Sequence, residues 1–260
     1  MPTSTTCADI QPRMFLTIIT VTFNARQWIE RTLHSVLRQT DTDYEYLLID
    51  GASTDDTLAI ARQYQPLFNG RMTIVSEPDN GLYYAMNKGI ARAQGQFLWF
   101  MNAGDEIHGK NAIALLHDQA DYDIIYGKAL VSDANGKTTG YYHKQPPEHL
   151  SLRDMLGGLV VCHQALLVRR TLAPLYDTRY RIAADYDWLI RILKTTSQTK
   201  FIPEPVCRFL QNGLSQSNPM RAWKERFLIM RQHFSLTTAL AAHIKITLSY
   251  ILRKIKHPFQ

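Results

Sequence analysis

Residues 82–106 read LYYAMNKGIARAQGQFLWFMNAGDE, a helix-length segment followed closely by a strand-length one. Leu82, Ala85, Met86, Gly89, Ile90 and Ala93 recur at i, i+3, i+4, i+7, i+8 and i+11, the spacing of one face of an α-helix. Gly95 stops the helix. QFLWFM (96–101) then reads as a buried strand, and the chain leaves it through Asn102, Gly104 and Asp105. A helix feeding a buried strand implies a βαβ unit, and open α/β sheets bind ligands at strand ends of this kind.

Working outward, the same rhythm recurs upstream. Phe15 to Phe23 is a β-rich run, with Asn24 placed to cap a helix carrying Ile29, Leu33, Val36 and Leu37. Tyr44 to Asp50 is a second strand, closed by the turn-forming GASTDDT (51–57), where Ser53 or Thr54 would cap the next helix. RMTIVSE (71–77) is a third. Strands alternating with helices predict parallel pairing and a doubly wound sheet. After residue 120 the rhythm changes. YDIIYGKALVSDANGKTTGYYH (122–143) holds two strands around an Asn-Gly turn, VVCHQALLVRR (160–170) is another strand, and ADYDWLIRILK (184–194) a helix. From Pro219 the chain turns helical and basic.

Composition sets outer limits. The 260 residues are 45% hydrophobic and 20% charged, as in an ordinary globular protein, with a formal charge of +6. That charge fits phosphate groups or an acidic membrane surface; nucleic acid fits it too, but no aromatic-basic recognition motif supports that partner. Cys7, Cys162 and Cys207 are odd in number, scattered and without CxxC spacing, which favours a reducing compartment over disulfides or zinc. MPTSTTCADIQPR (1–13) lacks an apolar signal core, so the expected location is the cytoplasm. In the tail, Leu240, Ile244, Leu248, Ile251, Leu252 and Ile255 mark one helical face, with Lys245, Arg253, Lys254 and Lys256 nearby. Such a helix suits either the inner face of an anionic membrane or packing on protein.

Three strand ends carry polar groups. Thr22, Phe23 and Asn24 close the first strand, and Asp50 closes the second. At the fourth stand Asn102, Gly104 and Asp105. A strand-end carboxylate such as Asp50 accepts hydrogen bonds from a nucleobase or ribose, or else caps its own turn. His163 and Gln164 fall within an apolar strand, as contacts to a bound ligand or as satisfied core residues. Asp185 and Asp187, two apart on a helix, point to different faces and do not share one task. NGLSQSN (212–218) reads as a loop able to close over a ligand, or as a plain connector.

ITVTFNARQWIERTLHSVLRQT, LLIDGASTDDT, SEPDNGLYYAMNKGIARAQGQFLWFMNAGDE and AADYDWLIRI resemble, in this order, the motifs of the glycosyltransferase family two domain, nearest to bacterial colanic-acid, capsule and O-antigen enzymes. The resemblance implies a GT-A fold: an α/β, Rossmann-like mixed sheet flanked by helices, with a C-terminal helical extension. It implies a tail (1–14), a catalytic domain (15–215, split into nucleotide-binding 15–106 and acceptor 107–215 halves) and a basic amphipathic extension (216–260). By the same resemblance Asp50 reads the base and Thr22, Phe23 and Asn24 embrace it. Asn87 lies beneath the donor, Lys88 near its diphosphate, and Asp185 is the catalytic base of an inverting transfer. NAGD (102–105) stands where the family carries its DxD metal motif, with Asp105 matching the last acid and binding Mn²⁺ or Mg²⁺.

Chemistry supports that expectation. A departing nucleoside diphosphate develops negative charge that a hard cation offsets, and Mg²⁺ needs only one or two protein carboxylates when phosphates supply other ligands. Asn102 offers an amide to ribose, metal or water, and Gly104 leaves room where an acid often stands. The expected partners are a nucleotide-diphosphate sugar and a glycan or lipid-diphosphate-linked acceptor. Two competing functions are a sugar nucleotidyltransferase, which would want a glycine-rich loop where TFNARQW stands, and a noncatalytic nucleotide-sugar binder, suggested by the depleted acidic motif.

Overall fold

The computed structural model describes residues 14–211 and 218–256, so the 1–13 tail, Cys7 and most of the 212–218 loop lie outside the described residues. Strand β1 (Leu16–Thr22) leads through α1 (Ile29–Leu37) to β2 (Tyr44–Asp50), then α2 (Thr57–Tyr64) to β3 (Met72–Ser76) and α3 (Leu82–Arg92) to β4 (Phe97–Phe100). Each crossover returns a parallel strand, giving the order β3-β2-β1-β4. Side chains alternate along these strands: Leu16 and Ile18 enter one core, Ile19 and Val21 the other. Both faces are thus covered, as a parallel sheet requires.

Beyond β4 the sheet becomes mixed. The chain adds β5 (Glu106–Ile107), α4 (Ala112–His117), β6 (Ile124–Ser132) and β7 (Thr138–Tyr141), with the hairpin falling on the Asn-Gly turn. Next come β8 (Leu166–Arg169), α5 (Ala184–Leu193), β9 (Thr199–Leu210) and the helices α6 (Pro219–His233) and α7 (Leu236–Lys256). The order continues β4-β8-β6-β9-β5, with β8 antiparallel to both neighbours and β9 parallel to β6. A wholly parallel sheet therefore holds only for the first four strands.

Strand β9 has no counterpart in the sequence reading, because Pro203 and Pro205 interrupt it. The ladder absorbs them as an irregularity: Gly127 pairs Ile202 and the next residue, Lys128, pairs Pro205. Prolines lack the ladder donor and are tolerated at such bulges. The expected strand at 160–170 is shorter than its apolar run, since His163–Ala165 form a 3₁₀ turn before β8. Asn24 does not cap α1, whose N-cap is Trp28 without a side-chain bond. Cys162 and Cys207 are buried and free.

Candidate active site

The carboxyl ends of β1, β2, β3 and β4 line up along one edge, the place where an open α/β sheet offers a crevice to ligands. Two of its walls are laced together. Asn24, at a left-handed φ of 49°, accepts at Oδ1 from Thr54 N–H (2.9 Å) and donates its own N–H to Ser53 Oγ (2.8 Å). Ala25 N–H donates to Thr57 Oγ1 and Arg26 N–H to Asp55. The loops after β1 and β2 are therefore one rigid unit, and Asn24 serves it as a tie. Phe23 is 63% exposed on this edge, and its ring lies 3.4 Å from where a side chain at Gly51 would begin.

Asp50 is fully buried. Its carboxylate accepts from Ser53 N–H (2.9 Å), Ser53 Oγ (2.5 Å) and Ser76 Oγ (2.7 Å). A carboxylate open to the crevice was expected here; instead it is buried and spent on Ser53 and on Ser76 of the neighbouring strand end. The open carboxylate belongs to Asp79, which sequence reading passed over. Its Oδ1 accepts from Gly81 N–H (2.8 Å), while Oδ2 stands 2.9 Å from a Cβ built on Gly51. Only glycine at 51 leaves that space open. The signal was the Asp-Asn-Gly turn directly after the third strand.

At β4 the chain turns through NAGD. Asn102 Oδ1 and, on the neighbouring strand, Thr22 Oγ1 are buried polar atoms with no hydrogen-bond partner among the described residues. Gly104 has φ +102°, and a Cβ there would lie 2.6 Å from Leu210 Cδ2. The room expected at Gly104 is thus filled by Leu210. Asp105 is 4% exposed and Oδ1 accepts from Leu210 N–H (2.9 Å); the Gln164 side chain also bonds it. Burial pushes this carboxyl up to about 7 against those bonds. Asp105 thus ties NAGD to β9 rather than standing free in the crevice.

That shift carries a pH dependence. An acid whose folded pKa lies above its unfolded value supports folding most fully below about pH 4 and loses that support as pH rises towards 7. Between pH 5 and pH 8, wild type should lose roughly 2–3 kcal/mol more than Asp105→Asn does. Urea unfolding at the two pH values checks this, and equal losses would remove the buried-acid assignment.

The other site residues sort clearly. Asn87 exchanges two bonds with the Tyr176 backbone, Nδ2 to O at 3.0 Å and N–H to Oδ1 at 2.7 Å. Lys88 donates to the carbonyls of Glu77 and Pro78 and pairs with Glu77 at 3.3 Å. Lys88 therefore braces the 77–78 segment from α3 and Asn87 the backbone at 176; their ammonium and amide groups are spent on protein. His163 is 7% exposed and paired at Nε2 with Tyr176 Oη (2.8 Å), among the rings of Phe100, Tyr176 and Trp188. Burial lowers its pKa to about 4, which keeps it neutral. Gln164, also buried, accepts from Cys162 Sγ at 3.3 Å. Neither opens to the crevice, as contact residues would.

Asp185 and Asp187 do part company on α5. Tyr83, from the first turn of α3, donates to Ile182 O (2.8 Å) and reaches Asp185 Oδ1 at 3.4 Å. Burial raises the Asp185 carboxyl above the ordinary range, while the Tyr186 N–H and the Arg226 charge pull the other way. Asp187 is 1% exposed and is clamped by Arg191 and by His233 of α6, both at 2.7 Å. The turn leading into α5 is held by Glu225, another residue sequence reading missed. Its carboxylate accepts from the N–H groups of Arg181, Ile182 and Ala183 at 2.8–3.0 Å. A pocket of about 300 Å³ opens beside Tyr83, lined also by Asn80, Gly81, Tyr84, Ile182 and Arg221.

The family model for glycosyl transferase family 2 matches residues 17–173, which spans all four crevice strands. The chain belongs to glycosyltransferase family 2. A PGL/p-HBAD biosynthesis glycosyltransferase of Mycobacterium tuberculosis is 34% identical over 182 residues, covering 67% of this chain and 68% of the relative. TuaG of Bacillus subtilis, which carries a teichuronic acid biosynthesis name, is 25% identical over 86% of this chain and 91% of its own. This family 2 transferase shares the fold of Staphylococcus aureus TarS (TM-score 0.69, 17% identity), covering 90% of this chain and 43% of TarS. The chain thus spans less than half the length of TarS. It is similar also to the mannosyltransferase PcManGT of Pyrobaculum calidifontis, solved with GDP-Man and Mn²⁺ (TM-score 0.64, 17% identity, 96% of this chain and 82% of that one).

Proposed function

We propose that this family 2 transferase moves a sugar from a nucleotide-diphosphate donor to an acceptor hydroxyl in bacterial surface-polysaccharide assembly, with inversion. The observation that carries the reading is the pair of orphaned buried oxygens, Thr22 Oγ1 and Asn102 Oδ1, on adjacent strand ends. They are the two unpartnered buried oxygens among the seven such side-chain atoms of the described residues, the other five being nitrogens of Arg and His, and a ligand rich in hydroxyls and phosphates would satisfy both. The base of the donor would lie against Phe23 over Gly51, above Asp50, Ser53 and Ser76, with Asp79 bonding base or ribose. Residues 15–106 supply this donor half and 107–215 the acceptor half, reached through the pocket beside Tyr83.

The donor set fits a divalent cation in part. A hard cation takes oxygen ligands; Asn102 Oδ1 offers one, while Asp105 is already bonded by Leu210 N–H and the Gln164 side chain. Mn²⁺ or Mg²⁺ held by Asn102 and the donor phosphates would neutralise the leaving diphosphate. The protein's own step belongs to Asp185. Its carboxylate takes the acceptor O–H proton as the oxygen bonds to the anomeric carbon, and the bond from that carbon to the diphosphate oxygen breaks. A raised pKa makes the ionised carboxylate a stronger base.

A panel of nucleotide-diphosphate sugars, with and without Mn²⁺, tests the reading by thermal unfolding. The matching donor at 100-fold excess over its Kd should add about 2.7 kcal/mol of stability. A panel without any shift would overturn it. The second reading, a binder without turnover, is favoured by Leu210 closing the turn at Gly104; absence of donor hydrolysis by a chain that binds donor would select it.

A further inference from the structure

The surplus positive charge of the chain has one address. Residues 219–256 carry eight Lys and Arg against a single acid, Glu225, whereas the whole chain carries 29 against 23. These residues are α6 and α7, so the catalytic domain proper is close to neutral and the extension strongly basic. Glu225 is itself consumed by Arg221 and by the turn before α5. Lys224 and Arg231 are exposed and enter no ion pair among the described residues.

Between the two helices runs a broad groove of about 1330 Å³. Met220, Trp223, Phe227 and Leu240 line it, and Lys224 and Arg231 stand at its rim. Along α7, Leu236, Leu240, Ile244 and Leu248 are each 44–58% exposed, and Met220 of α6 is 81% exposed. At steps of four residues the α7 side chains form one stripe down the helix. Exposed apolar side chains in a continuous row are an unpaired interface, unlike the scattered ones every protein shows. No described helix is long and apolar enough to cross a membrane. An apolar stripe with cations beside it and no free acid matches a surface whose anions lie just above hydrocarbon.

We infer that α6 and α7 dock on an anionic lipid bilayer, with the stripe and groove entering the headgroup boundary and Lys224 and Arg231 meeting lipid phosphates. The placement bears on the reaction, and in this respect rests on the glycosyl-transfer reading. Tyr180, Asn218 and Arg221 line both this groove and the pocket beside Tyr83. The acceptor pocket therefore opens onto the docked face, which suits an acceptor anchored in the same bilayer by a lipid phosphate.

Full-length protein is sedimented with phosphatidylcholine vesicles, pure or with about 30% phosphatidylglycerol. Binding to the anionic vesicles, weakened by salt and slight on pure phosphatidylcholine, is expected. Leu240→Ser/Ile244→Ser should lower vesicle affinity by roughly 100-fold or more. Lys224→Gln/Arg231→Gln should lower it about 30-fold, at about fivefold per cation. All four side chains are exposed, so both variants should keep the wild-type melting temperature and donor-induced stabilisation. Variants that bind vesicles like wild type overturn the inference, as does a wild type that ignores anionic vesicles. A concentration-dependent dimer that the Leu240→Ser/Ile244→Ser pair abolishes would give the face to a second copy instead. Failure of vesicle binding with intact donor stabilisation counts against docking alone; loss of donor stabilisation counts against the transferase reading.

Discussion

Asp185→Asn should retain donor binding and lose roughly 10²–10⁴-fold in turnover, the usual worth of a positioned general base. The substitution keeps the shape of the carboxylate, its bond from Tyr186 N–H (2.8 Å) and its proximity to Tyr83. What it removes is basicity. An acceptor hydroxyl would then attack without losing its proton to the protein, and only the chemical step would slow. Calorimetry with the donor and single-turnover kinetics separate the two effects. Unchanged turnover, or loss of donor affinity equal to the loss of rate, would contradict the role.

Asp187, two residues on, should show the opposite pattern. It is buried with Arg191 and His233 on its two oxygens, and Lys194 in turn bonds His233 Nδ1 at 2.9 Å. Removing this buried carboxylate takes the counter-ion from Arg191 and the partner from His233 Nε2, a loss of about 3–5 kcal/mol. Asp187→Ala should therefore lower Tm by roughly 10 °C or more, with the folded fraction binding donor as wild type does. Urea denaturation measures the cost. A variant of native stability that has lost turnover would reverse the roles of the two acids.

That the two acids meet different neighbours was legible in the sequence, since two positions two apart on a helix diverge by some 200°. So were β1 to β4, because their apolar runs alternate with a clean helical period. What escaped depended on residues distant in sequence. Nothing near Asp105 announces that Leu210 will donate to it from β9, or that the same leucine will fill the space at Gly104. Lys88 and Asn87 are polar groups on a helix beside the crevice, and only the folded chain shows them bonded to the backbones of 77–78 and 176. Asp50 was the closer case. Ser53 at i+3 is the partner of an Asx-type turn, but Ser76 comes from another strand. The strand with two prolines lacked every local signal and owes its existence to the β6 ladder.

The polar contacts of the crevice define its most direct test. Hydrogen exchange is followed in the chain with and without the nucleotide-diphosphate sugar that stabilises it. Protection should concentrate in residues 22–26, 50–54, 76–81 and 101–105, the four strand ends that surround the orphaned Thr22 and Asn102 oxygens. Protection confined to other segments, with these four unchanged, would contradict a donor site at the carboxyl edge of the parallel strands.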